Sequence, residues 1–145
     1  TGKNLFDPTL NFNTYNANGI EVKYLKDEDC FVLNGTSTQS GSHGRRYINL
    51  PITKGETFSI SVKYISGTVT RPTETTNAVA YFGGGDAVNT STNWQPVYLQ
   101  EYDTKAENVT CKYDYITDFW FYTGNGVSFN NYKVKIQLRF PYYNH

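Results

Sequence analysis

The residues of this 145-residue chain that could do chemistry are few and poorly grouped. The two histidines are His43 and the terminal His145, too few for a histidine metal site or a nucleophile–base pair. His43 sits in SGSHGRRY, followed by Arg45 and Arg46, in what reads as a Gly-rich loop leading into a strand. Two readings fit: arginine forks that grip sugar hydroxyls or a carboxylate, or an ordinary solvated turn. Carboxylates gather as Asp27-Glu28-Asp29 and as Glu101 with Asp103. A glycosidase needs two of them facing across a cleft at roughly 5–10 Å. The first group reads as the charge of a wet hairpin turn and the second as the end of a strand, so hydrolysis is not indicated. GGGD at 83–86 lacks the GK[ST] ending and the following helix of a phosphate loop. No DxDxDG spacing suggests a calcium loop. The expectation is no catalytic residue, no metal and no cofactor.

Aromatic residues are the opposite case: 13 Tyr, 9 Phe and 2 Trp. An apolar ring with a polar edge serves a core, an interface or the underside of a sugar equally well. Trp94 lies in the polar stretch TSTNWQP, with Tyr98 and Tyr102 following. If 96–101 is a strand, parity puts Tyr98, Gln100 and Tyr102 on one face and Val97 and Leu99 on the other. Rings stack on the apolar face of a pyranose while amides take its hydroxyls. The candidate carbohydrate site is therefore Trp94, Tyr98 and Tyr102, with Asn93 and Gln100 as hydrogen-bonding partners and Arg45 or Arg46 as a second wall. The competing reading is that Trp94 caps the core. Trp120, in DYITDFWFYTG, reads as core or inter-sheet packing.

The elements that must carry these residues are strands. Phe58, Ile60, Val62 and Tyr64 alternate with polar residues, as do Val134, Ile136 and Leu138, so both runs read as half-buried strands with these side chains inward. Ile20, Val22 and Tyr24 form a third such run. Weaker ones are 30–34, 46–50, 78–82, 96–101, 108–113 and 115–123, about nine strands in all. Turn chemistry parts them at Asn18-Gly19, Asn34-Gly35, Lys54-Gly55, Ser66-Gly67, Gly83-Gly84-Gly85 and Gly124-Asn125-Gly126. No segment sustains a helical period. The spacing predicts an all-β domain, a two-sheet β-sandwich of jelly-roll type with little helix. Stretches 66–77 and 83–95 read as the long polar loops, where function concentrates.

Size and charge set further bounds. The length suits one domain, 1–145, able to bury a core without staples. The absence of Met and the opening Thr1-Gly2 suggest a domain excised from a larger protein, with a cloning remnant at its start. Thirteen basic residues balance thirteen acidic ones. Nothing in that balance marks a nucleic-acid or anionic-membrane partner, and no apolar run is long enough to span a bilayer. Cys30 and Cys111 each lie in a strand-like run and read as buried free thiols, with a cross-sheet disulfide as the alternative. The sequons at Asn34, Asn89 and Asn108 are about as many as this Asn and Ser/Thr content yields by chance.

Several phrases taken together, KNLFDP at 3–8, VLNGT at 32–36, INLPITKGETFSISVKYISG at 48–67 and FYTGNGVSFNNYKVKIQL at 121–138, carry a resemblance. The chain resembles accessory β-sandwich domains of tail and baseplate proteins of phages and prophages of Gram-positive bacteria, which are similar to carbohydrate-binding modules. After QL the family commonly has an acidic residue and Gly, whereas this chain has Arg139-Phe140-Pro141. The resemblance implies a galactose-binding-like jelly roll in a virion tail, outside the cell. It also implies a non-catalytic module adhering to cell-surface polysaccharide or teichoic acid; the zero net charge of the chain favours neutral glycan over teichoic acid. The alternative is a structural or oligomerisation domain whose aromatics meet other tail proteins or copies of itself. The family lends no sugar-contact motif, so the site residues rest on the reading above.

Overall fold

A computed structural model describes residues 14–51, 54–76, 78–83, 99–112 and 115–139, with the backbone alone in 42–51, 78–83 and 115–120. The described chain is all-β and contains no helix. Its strands are β1 (Tyr15–Ala17), β2 (Ile20–Leu25), β3 (Cys30–Thr36), β4 (Gly41–Pro51), β5 (Thr57–Thr70), β6 (Ala78–Gly83), β7 (Thr104–Thr110), β8 (Tyr115–Thr123) and β9 (Ser128–Arg139). Six pair antiparallel in the order β1-β2-β3-β9-β5-β7, and three in the order β4-β8-β6.

Alternation builds the core. One face of the large sheet carries Ile20, Val22, Phe31, Leu33, Phe58, Ile60, Val62, Val134, Ile136 and Leu138, all buried. They meet as opposed pairs, Val22 with Leu33, Phe31 with Val134, Val62 with Ile136 and Ile60 with Leu138. Full burial of each such side chain contributes about 1.5–3 kcal/mol. Phe121 of β8 is buried against the same core, its ring 5.4 Å from that of Phe31 and nearly perpendicular to it. Tyr64, expected inward, is half-buried and packs on the rim of this core.

The expected Asn18-Gly19 turn forms the β1–β2 hairpin with φ of 53° and 84°, the left-handed pair that a tight hairpin requires. Two other expected turns are not turns. Asn34-Gly35 lies inside β3 and Ser66-Gly67 inside β5, each at a register shift. The positive φ that glycine supplies serves a bulge here. The stretch 66–77, expected to be a loop, is strand as far as Thr70. Likewise Gly41–Pro51 is strand throughout, so His43, Arg45 and Arg46 stand on β4 and not on a loop. The run expected at 108–113 is β7, ending at Thr110. At 99–101 only Leu99 makes a bridge, and a bend follows over Glu101–Asp103, so no strand carries Tyr102.

The acidic triplet does more than keep a turn wet. Glu28 pairs with Lys133 and Asp29 with Lys135, each at 2.9 Å, so the β2–β3 turn folds its carboxylates over β9. Cys30 and Cys111 are free and buried.

Candidate functional site

The described part of the candidate site is built on a disturbance of the sheet. Between Leu33 and Gly35 β3 advances two residues while β9, from Tyr132 to Phe129, advances three. Across the other edge of β9, β5 advances two residues from Tyr64 to Ser66 against one, then two from Ser66 to Thr68 against three. Bulges of this kind bend a strand and re-aim its side chains. The Asn34 side chain closes the gap by accepting the Asn131 N–H at 2.8 Å.

Tyr64 and Tyr132 stand at this fault, with ring centroids 6.3 Å apart and planes 27° from parallel. Tyr102 meets Tyr64 edge-on at 4.8 Å and Tyr132 edge-on at 6.4 Å. Such pairs are worth about 0.5–1.5 kcal/mol beyond the area they bury. Tyr102 nevertheless keeps 44% of its surface exposed, and its hydroxyl accepts the Val69 N–H at 3.2 Å. The ring is exposed and fixed.

Residues 99–103 reach this place by side-chain contacts. Leu99 is buried in the core. Asp103, at φ 34°, accepts the Tyr64 N–H at 2.8 Å. Thr104 donates its hydroxyl to the Gln100 carbonyl at 3.1 Å, and Tyr132 donates its own to the Glu101 carbonyl. The Arg71 guanidinium spans the segment, donating to the Gln100 side chain at 2.8 Å, to the Glu101 carboxylate and to the Glu74 carbonyl. Burial first, and then the charge of Glu101, push the Tyr132 hydroxyl far above the ordinary phenol range. It therefore stays protonated, as its hydrogen bond to the Glu101 carbonyl requires. What the cluster offers a ligand is a partly exposed tyrosine ring, with the exposed Gln100 amide tied to Arg71 near it.

Of the residues expected to form the site, Tyr102 and Gln100 are brought together, but not by strand parity. Asp103 turns the chain into a bend, and contacts to Tyr64 and Arg71 place the two side chains. Asn93, Trp94 and Tyr98 lie outside the described residues. Arg45 and Arg46 stand on β4 in the three-stranded sheet, where Arg46 is opposite Phe119. The guanidinium beside Gln100 belongs to Arg71, and Tyr64, Glu101, Asp103 and Tyr132 were likewise not anticipated there. The Arg71–Glu101 and Tyr132–Glu101 contacts join residues about thirty positions apart, which no local pattern reveals. Among the described residues, no group of three or more His, Cys, Asp or Glu could hold a metal ion. Compared with protein-family models, with curated proteins and with solved structures, the chain matches none.

Proposed function

We propose that this is a non-catalytic carbohydrate-binding domain of a phage tail or baseplate protein, a jelly-roll sandwich that helps the virion adhere to bacterial cell-surface glycan. The observation that carries the reading is the Tyr102 ring, exposed yet held edge-on against Tyr64 beside Gln100 and Arg71. A rigid ring loses little freedom when a pyranose settles on it, and neighbouring polar groups meet the sugar hydroxyls. The resemblance of the sequence phrases to tail-associated domains supplies the biological setting. The sequence reading adds Trp94, Tyr98 and Asn93 as ligand contacts, and a neutral glycan is the ligand. One ring against a sugar contributes on the order of 1–2 kcal/mol, so dissociation constants nearer millimolar than nanomolar are expected.

The test is an array of neutral bacterial and plant glycans probed with the isolated domain and with Tyr102→Ala and Trp94→Ala. Retention lost in both variants with folding preserved supports the reading. No retention by the unaltered domain on any glycan overturns it.

A second reading has its own support. Ile65 and Tyr102 are the exposed large hydrophobic side chains among the described residues, and such groups also seed protein contacts. A solution mass above that of a monomer, reduced by Ile65→Ser, would favour a structural domain that joins tail proteins or copies of itself.

A further inference from the structure

The zero net charge of the chain conceals an uneven distribution. On the face of the large sheet turned away from the core, Lys63 stands directly opposite Lys135, Ser61 lies between Gln137 and Lys105, and Ser59 is opposite Arg139. Lys133 precedes Lys135 on the same face of β9. Five cations thus line three adjacent strands. Glu28 pairs with Lys133 and Asp29 with Lys135 from the β2–β3 turn, and Glu107 pairs with Lys105 from two residues along β7 itself. Lys63 is exposed and has no carboxylate partner among the described residues. Among the described residues Arg139 bonds the Gln137 side chain, at 2.9 Å, and has no carboxylate partner.

One of these features costs stability as it stands. Like charges directly opposite on neighbouring strands repel, as at the Lys63–Lys135 rung. An anion lying along the strip relieves that repulsion. The ion pairs from the turn and the edge are of the exposed kind worth little, so a ligand carboxylate could exchange with them.

We infer that the outward face of β5, β9 and β7 is a second binding surface, separate from the tyrosine cluster, for a linear polysaccharide bearing negative charges. The Lys63–Lys135 and Ser59–Arg139 rungs are four residues apart, about 13 Å along the strands, which calls for an extended ligand. Ser59, Ser61 and Gln137 lie between the cations as partners for sugar hydroxyls. No aromatic side chain stands on the described part of the strip. Single-stranded nucleic acid, whose binding depends on stacked bases, is the poorer fit.

Electrophoresis of the whole domain through gels containing polygalacturonate, with dextran as the neutral control, tests the assignment. Polygalacturonate should retard the domain and dextran should not, and the retardation should fade with added salt. Lys63→Gln combined with Lys105→Gln should weaken it several-fold, while Lys26→Gln, off the strip, and Tyr102→Ala should leave it unchanged. Lys105→Gln alone, at a side chain 69% exposed on an edge strand, gives the same direction if the double variant does not fold. The assignment is overturned by no retardation, by equal retardation in dextran, by equal loss in Lys26→Gln, or by tighter binding of oligothymidine. Loss in Tyr102→Ala alone would move the ligand to the tyrosine cluster instead.

Discussion

Gly67 of β5 and the Asn131 carbonyl of β9 are in such close approach that a Cβ on the glycine would lie 2.1 Å from that oxygen. Both residues have left-handed backbone, with φ of 86° and 46°. This contact is the centre of the fault on which Tyr64 and Tyr132 are set.

Gly67→Ala should therefore be far more damaging than an exposed strand substitution. The side chain has no room, and the backbone angle is one that alanine adopts only under strain. A loss of about 2–3 kcal/mol is expected, measured by urea denaturation. Asn131→Gly keeps the required angle but removes no buried group, and should cost under about 1 kcal/mol. Equal tolerance of both changes would mean that the fault relaxes without difficulty.

Tyr102 offers a graded test of the cluster. Tyr102→Phe keeps both edge-on ring contacts and removes only the acceptor for the Val69 N–H, so a loss of about 0.5–1 kcal/mol is expected. Tyr102→Ala removes the ring as well and should cost about 1–2 kcal/mol. The order Ala worse than Phe, read from melting temperatures, checks the geometry independently of any ligand.

Acid should weaken the tie between the β2–β3 turn and β9. The hydrogen bond from Tyr24 first, and then the one from Lys135, hold the Asp29 carboxyl below its ordinary value. A depressed carboxyl stabilises the fold above its unfolded-state pKa, and that contribution is lost as pH falls through the folded-state value. The melting temperature of Asp29→Asn should thus lie below that of the unaltered domain at neutral pH and converge on it in acid. Asn tolerates the φ of 49° found there, so backbone strain does not confuse the comparison. A gap that persists unchanged into strong acid would exclude the carboxylate as its source.

Cys30 should be inert. Burial first, and then the nearby charge of Glu28, push its thiol above the usual range, and the thiolate is the reactive form. An aromatic disulfide reagent should label neither cysteine in the folded domain and both after denaturation. Fast labelling of the native protein at Cys30 would show that the turn opens readily.

Strict alternation made the long strands legible, since a one-residue slip would have turned Phe58, Ile60 and Val62, or Val134, Ile136 and Leu138, toward water. Asn18-Gly19 was equally readable, because both residues need left-handed angles in that hairpin. The same chemistry misled at Asn34-Gly35 and Ser66-Gly67, since a glycine with positive φ fits a bulge as well as a turn. At the site, Tyr102 and Gln100 were legible as an exposed ring and amide, but the strand expected to align them does not form around Asp103. Arg71 was passed over because nothing local distinguishes it within a polar stretch. Its role comes from Glu101 and Gln100, which only the folded sheet brings to it.

The fault also governs how this sequence can change length. Along β5 the inward residues are even-numbered from Phe58 to Tyr64 but pass to Val69 beyond the fault; along β9 they run from Leu138 down to Tyr132 and then pass to Phe129. Each strand absorbs one change of phase, at matching heights. Deleting or inserting a single residue in either strand alone would turn its far end inside out, exposing Val69 or Phe129. The lengths 64–69 and 129–134 are therefore each fixed in phase, and a tolerated change in either comes as two residues, which returns Val69 or Phe129 to the core side.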